Sequence, residues 1–162
     1  MQARPRIALI SEHASPMTLL GGQDAGGQNV YIDEVSRNLA KRGYEVDVFT
    51  RRNGADAPHV VGWSQGVRIV NLQAGPLARI SKDEMWPYMP QFRDEIIRFM
   101  LRDATTYNLI HGNFWMSGWV AAEIADYCRI PSVQIFHALG VTKRRNQGEA
   151  DTSPPGRIAI ER

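Results

Sequence analysis

Residues 6–50 read RIALISEHASPMTLLGGQDAGGQNVYIDEVSRNLAKRGYEVDVFT, and this stretch decides the fold. Arg6 to Ser11 is a short apolar run, which suits a strand buried on both faces. A glycine-rich stretch closes it. From Asn29 the apolar period changes: Ile32, Val35 and Leu39 recur on one helical face, Lys41 and Arg42 stand near its end, and Gly43 lies just past it. Glu45 to Thr50 then alternates as a strand does. Strand, helix and strand form a βαβ unit, whose crossover is right-handed almost without exception.

The alternation continues outward. After a turn-rich interval, Val67–Leu72 predicts a further strand. Phe92, Ile96, Phe99 and Met100 fall at helical spacing behind Pro90, and Leu109-Ile110 is a strand running into His111. A third helix carries Val120 and Ile124 and ends near Arg129; Pro131 separates it from the strand Val133–Phe136, which ends at His137. The order predicts an α/β fold, a doubly wound parallel sheet of Rossmann-like kind, with residues 1–162 as one domain. Ligands of such sheets lie beyond the carboxyl ends of the strands. Those ends carry Glu12 and His13, then His111, then His137.

Composition narrows the function. Nineteen Lys and Arg against seventeen Asp and Glu give a net charge of +2, which excludes the single-sign field of a non-specific nucleic-acid binder. No run reaches the about 20 apolar residues of a membrane span, and the start lacks the apolar segment of a signal peptide. The expectation is a cytoplasmic protein without a membrane span. The one cysteine, Cys128, continues the apolar series Val120, Ile124 and predicts a buried reduced thiol. Trp63, Trp86, Trp115 and Trp119 are expected to complete the core or its rim.

Gly21-Gly22-Gln23-Asp24-Ala25-Gly26-Gly27-Gln28 joins the first strand to the first helix. Its paired glycines permit positive φ and let main-chain N–H groups approach an anionic or hydroxyl-rich ligand. Alternatively it is a flexible surface loop. The dinucleotide pattern G-x-G-x-x-G and the Walker pattern are both absent, as are His/Cys metal spacings and a G-x-S-x-G elbow. Asp33 and Glu34 fit helix-start electrostatics better than a hydrolase pair. His137 at a strand tip either meets a sugar or a leaving phosphate, or satisfies backbone groups; His111 carries the same two readings. Lys143, Arg144, Arg145, Arg157 and Arg162 form either a solvated basic face or a set of forks for a phosphorylated sugar.

Several long motifs resemble one family. They are His13-Ala14-Ser15-Pro16, the stretch Leu20 to Tyr31, Val46 to Arg52, Leu109 to Gly118, Phe136 to Gly140, Lys143-Arg144-Arg145, and Arg157 to Glu161. In this order they are similar to the opening of retaining glycosyltransferases related to sucrose-phosphate synthase and sucrose synthase, and to the inositol-phosphate N-acetylglucosaminyltransferase of mycothiol synthesis. The resemblance implies a GT-B architecture, in which two Rossmann domains close on a cleft and the amino-terminal one binds the acceptor. It implies no metal and no other cofactor. Gly26, Gly27, Gln28 and Asn29 would contact the reacting sugar or the donor phosphate, and His137 would sit beside the transferred sugar as the catalytic residue. Lys82, Phe114 and Arg157 would approach the acceptor phosphate, with His111, Lys143 and Arg145 on the same substrate-binding surface.

The partners implied are a nucleotide sugar, UDP-glucose or ADP-glucose, and a sugar-phosphate acceptor such as fructose 6-phosphate. Retention would follow from front-face attack. Phe114 replaces a tyrosine of the inositol-phosphate member, and Ala138 replaces its hydroxyl-bearing residue after the histidine. Both departures weigh against a phosphoinositol acceptor. Asn113 stands where relatives often carry a second histidine. The family's nucleotide-sugar-binding carboxyl-terminal domain has no counterpart in the 162 residues, so the fragment alone is expected to be inactive. A non-catalytic sugar-phosphate-binding module and a transferase acting on inositol phosphate are the alternatives, and oligomeric state is not encoded legibly.

Overall fold

A computed structural model describes residues 4–18 and 26–162. The expected loop residues Gly21 to Ala25 lie outside the described residues. Six strands, β1 (Arg6–Ile10), β2 (Glu45–Arg51), β3 (Val60–Ser64), β4 (Val67–Leu72), β5 (Leu109–Asn113) and β6 (Ser132–Ile135), form one sheet in the order β3-β4-β2-β1-β5-β6. All neighbours are parallel except β3 and β4.

Period-two alternation sorts the strand side chains onto two cores. Ile7 and Leu9 of β1, Val46 and Val48 of β2, and Val67 and Ile69 of β4 face one side. Helix α1 (Gly27–Lys41) covers it with Ile32, Val35 and Leu39. Ala8, Ile10, Phe49, Val70 and Leu72 face the other side. There α2 (Met89–Arg102) lays down Phe92, Ile96 and Phe99, and α3 (Trp115–Cys128) lays down Met116, Val120 and Ile124. Helices on both faces make the sheet doubly wound, as the alternation of patterns predicts. The chain ends in α4 (Gly140–Gln147) and the single turn α5 (Arg157–Ile160).

Four expectations need correction. The turn-rich interval holds β3, an antiparallel edge strand joined to β4 through Gln65 and Gly66, the latter at φ +78°. Its pattern is weak because an edge strand buries little, and Val60 is exposed. Helix α1 starts at Gly27, so Asp33 and Glu34 sit in its second turn; Asp33 instead accepts hydrogen bonds from Arg37 Nε (2.7 Å) and Trp63 Nε1 (2.6 Å). β5 continues to Asn113, which puts His111 inside the strand rather than at its tip. Cys128 is half-buried, because α3 ends there at the rim of the core; burial still raises its thiol above the usual range. The tryptophans behave as expected: Trp86 packs on Trp115 and Trp119 with ring centroids at 4.9 and 5.3 Å, and Trp63 packs beside the α1 core.

A polar knot closes the amino-terminal end of the sheet. Buried Asp47 accepts two hydrogen bonds from Arg68 (2.7 and 2.8 Å) and one from the Tyr107 hydroxyl (2.7 Å), while Arg68 also reaches Asp103 at 2.9 Å. Burial, together with the Asp47 charge, raises the Tyr107 phenol, and the Asp47 hydrogen bond holds Arg68 protonated.

Candidate functional site

The chain leaves β1 in one direction along the sheet and β5 in the other, so the strand order reverses between these two neighbours. Such a switch point opens a crevice at the carboxyl ends of the strands. Here the tips are Ser11-Glu12-His13 after β1 and Asn113-Phe114 at the end of β5.

Helix α1 points its first turn at this crevice. Gln28 Nε2 donates to Ser11 Oγ (3.2 Å) and to the Asn113 carbonyl (3.4 Å), bridging both tips. Asn113 is wholly buried; its Nδ2 donates to the carbonyls of Ile10 and His111, which turns Oδ1 toward His137 Nε2 at 3.3 Å. A neutral His137 then carries its hydrogen on Nε2 and leaves Nδ1 open. Tyr31, one helical turn after Gln28, meets His137 edge-on at 4.9 Å and His111 at 6.3 Å. Burial, then the neighbouring His137, lowers the His111 pKa. Burial, then His13, lowers that of His137 against an opposing pull from Glu12.

The glycines act through room rather than through φ. Gly26 is extended and Gly27 helical, and a Cβ on either would have nothing within 4 Å among the described residues outside its own chain neighbours and helix backbone. Positive φ is therefore not needed at either residue. Asn29 is buried and spent on the fold: Oδ1 accepts from the Gly26 N–H (3.0 Å), and Nδ2 donates to the Ser15 carbonyl (2.8 Å).

The expected acceptor side is continuous with this crevice. The Arg157 guanidinium lies 4.9 Å from the Phe114 ring centroid, and that ring meets His13 edge-on at 5.1 Å. Arg157 is buried and donates to Glu161 (2.7 Å), Ser153 Oγ (3.2 Å) and the Ala138 carbonyl (2.7 Å), which leaves two of its five N–H groups uncommitted among the described residues. Lys143 pairs with Asp151 at 3.2 Å and also reaches Ser153. Lys82 and Arg145 are exposed and make no ion pair among the described residues, and neither side chain is brought against the crevice by a hydrogen bond. Of the basic residues read from sequence, Arg157 alone is built into the site wall.

Glu12 and His13 were read from sequence as a strand-end cluster and Asn113 as a departure from relatives, but their contacts were not, and Tyr31 was not separated out. The three-residue spacing of Gln28 and Tyr31 on one helix face is the signal that points to Tyr31. A concavity of about 590 Å³ around Arg6, Arg68 and Asp103 lies at the opposite end of the sheet and is walled by charges that already pair. An open depression of about 420 Å³ lies at His137, Leu139 and Thr142. No group of three or more His, Cys, Asp or Glu side chains is placed to hold a metal among the described residues, and no helix is long and apolar enough to cross a membrane.

Residues 26–162 match the family model described as a glycosyl transferase 4-like domain. The chain belongs to this glycosyltransferase family. A D-inositol 3-phosphate glycosyltransferase of Corynebacterium kroppenstedtii is 40% identical over 94% of the chain and 34% of its own length. The sucrose-phosphate synthase of Thermosynechococcus elongatus superposes with a TM-score of 0.90 at 34% identity, over 98% of this chain and 39% of that one. Arabidopsis thaliana UGT89C1, solved with UDP-L-rhamnose, shares the fold at a TM-score of 0.59 and 12% identity, over 98% of this chain and 40% of that one. The chain thus spans about a third of the length of the curated relatives it matches. Its sheet and helices are those of a GT-B glycosyltransferase, and in that setting the crevice between β1 and β5 is the glycosyltransferase's candidate substrate site.

Proposed function

We propose that the chain is the amino-terminal, acceptor-binding Rossmann domain of a retaining transferase that moves a hexose, glucose first among them, from UDP-glucose or ADP-glucose to a sugar phosphate such as fructose 6-phosphate. The observation that carries this reading is the meeting of Gln28 and His137 on one buried residue, Asn113, at the N-terminus of α1. That N-terminus suits a diphosphate or a sugar hydroxyl. His137, whose Nδ1 makes no hydrogen bond among the described residues, suits a hydroxyl of the transferred sugar. Phe114 and the spare N–H groups of Arg157 suit the acceptor, and no metal or other cofactor is assigned. The names of the curated relatives support inositol 3-phosphate as a second acceptor, and the donor would close over the crevice from a second domain in the longer protein.

Gly27→Ala tests the reading. Alanine favours the helix over glycine and has nothing within 4 Å of its Cβ among the described residues outside its own helix and chain neighbours, so thermal stability should hold or rise slightly. Calorimetric titration of the longer protein with UDP-glucose and ADP-glucose should show binding by the parent and at least about tenfold weaker binding by the variant, since the methyl group occupies ligand space. A parent that binds neither nucleotide sugar, or a variant that binds as the parent does, ends the proposal. Parallel titrations with fructose 6-phosphate and inositol 3-phosphate decide the acceptor.

A further inference from the structure

Glu12 is completely buried at the tip of β1. One carboxylate oxygen stands 2.7 Å from His13 Nδ1, and the other accepts a hydrogen bond from Ser117 Oγ, which itself accepts the Glu12 main-chain N–H at 3.2 Å. Ser117 belongs to the first turn of α3, where the helix end favours negative charge. Taking a carboxylate out of water is costly, and an apolar side chain of similar size would serve the core as well. What the carboxylate does to its neighbour is specific. A carboxylate has no hydrogen to give, so Nδ1 carries the hydrogen between them, and the other nitrogen of the neutral ring is an acceptor.

His13 is wedged against Phe114 and shares the crevice with His137. Its Nε2 makes no hydrogen bond among the described residues, and the side chain keeps 8% exposure. We propose that Glu12 is a positioning residue that fixes His13 with a bare Nε2 toward the crevice, selecting a sugar or polyol hydroxyl at that point and rejecting a phosphate oxygen. A hydroxyl donates to the bare nitrogen. The dianion of a phosphate monoester has no hydrogen to offer and faces the Glu12 charge behind the ring. The two histidines then present opposite nitrogens, Nε2 of His13 and Nδ1 of His137, and the phosphate of a sugar phosphate falls to the Arg157 side. The inference rests on the transferase reading of the crevice and deepens it.

Nitrogen-15 spectra of the histidine rings of the whole chain test it, with His13 assigned from a His13→Asn variant. At about pH 8.5, above the ordinary imidazole range near 6.5, His13 should show the Nδ1–H tautomer. Its Nε2 signal should move on adding fructose 6-phosphate or inositol 3-phosphate and stay in place with methyl phosphate, a monoester dianion without a hydroxyl. Glu12→Met should convert His13 to the Nε2–H tautomer and weaken sugar-phosphate binding about tenfold, the worth of one hydrogen bond. Glu12→Gln, whose amide can accept from Nδ1 and donate to Ser117, should keep the tautomer and bind within about twofold of the parent. An Nε2–H tautomer in the parent, or a response to methyl phosphate alone, overturns the proposal whether or not the methionine variant folds. With sugar-phosphate binding intact, such a result leaves the transferase reading standing; a parent that binds no sugar phosphate overturns both.

Discussion

Phe114 and His137 each leave a strand with positive φ, +78° and +57°. With ψ at 162°, Phe114 occupies a region almost reserved for glycine, and a residue held there costs on the order of 1–3 kcal/mol. Its surroundings over-determine the position: its N–H donates to Ile135, its carbonyl accepts from Gly118 and Gln134, and Arg157 covers its ring. His137→Gly should therefore relieve strain and leave the melting temperature level or higher, whereas turnover of the longer transferase should drop on the order of a hundredfold. Equal turnover in a steady-state assay removes His137 from the chemistry. His111 and His137 also predict a pH dependence. Both bind protons less readily in the folded state than in the unfolded one, so the unfolded chain takes up more protons as pH falls through about 6.5. Stability should be fully present above that pH and decline below it until the lowered folded-state values are passed. Urea midpoints at pH 7.5 and 5.5 measure this, and His111→Gln should flatten the slope. His137 was readable as a polar residue ending an apolar strand, and Glu12 and His13 as another strand-end cluster, but the hydrogen-bonded arrangement of that pair was not, because its other support, Ser117, lies 105 positions along the chain.

Among the elements, β5, α3 and β6 are stitched by one glutamine. Gln134 of β6 donates to the carbonyls of Phe114 and Ile135, and its amide fills the hollow left by Gly112 and Gly118. A Cβ on Gly112 would stand 2.8 Å from the backbone of both Ser117 and Gly118, so α3 would have to lift from β5. Gly112→Ala should destabilise by about 1–3 kcal/mol and drag Phe114 and Asn113 out of place. Gly118→Ala meets mainly the flexible end of Gln134 and should cost less, a difference that paired denaturation curves resolve. The helices and parallel strands were legible because both cores impose regular apolar periods, seen in Ile32, Val35 and Leu39 or in Phe92, Ile96 and Phe99. β3 was not, since Val60 is exposed and Val61 and Trp63 border the sheet with only partial burial. The role of Gly112 and Gly118 was likewise hidden: what excludes a side chain there is Gln134 of β6 and, at Gly112, the backbone of α3 as well.

At the scale of the whole molecule, the two ends of the sheet divide the work. The carboxyl end carries the crevice, and the amino end carries the Asp47 knot. Asp47→Ala strips the partner from Arg68 and Tyr107 and should cost about 3–5 kcal/mol, while sugar-phosphate affinity of the folded protein stays unchanged. A loss of affinity measured well below the melting temperature would show the two ends to be coupled. Buried Arg51 adds a third fastening, donating to the carbonyls of Ala74, Pro76 and Ala78 and so pinning the segment after β4.

The irregular border strand β3 has one more effect. Its register breaks between Gly62 and Ser64, and a kinked antiparallel margin is a poor template for a foreign chain. The opposite margin, β6, is four regular residues with Val133 turned to solvent. Fibril-like growth, if heat or concentration provokes it, should therefore recruit through β6 and spare β3, and a lysine at position 133 should delay the onset of turbidity.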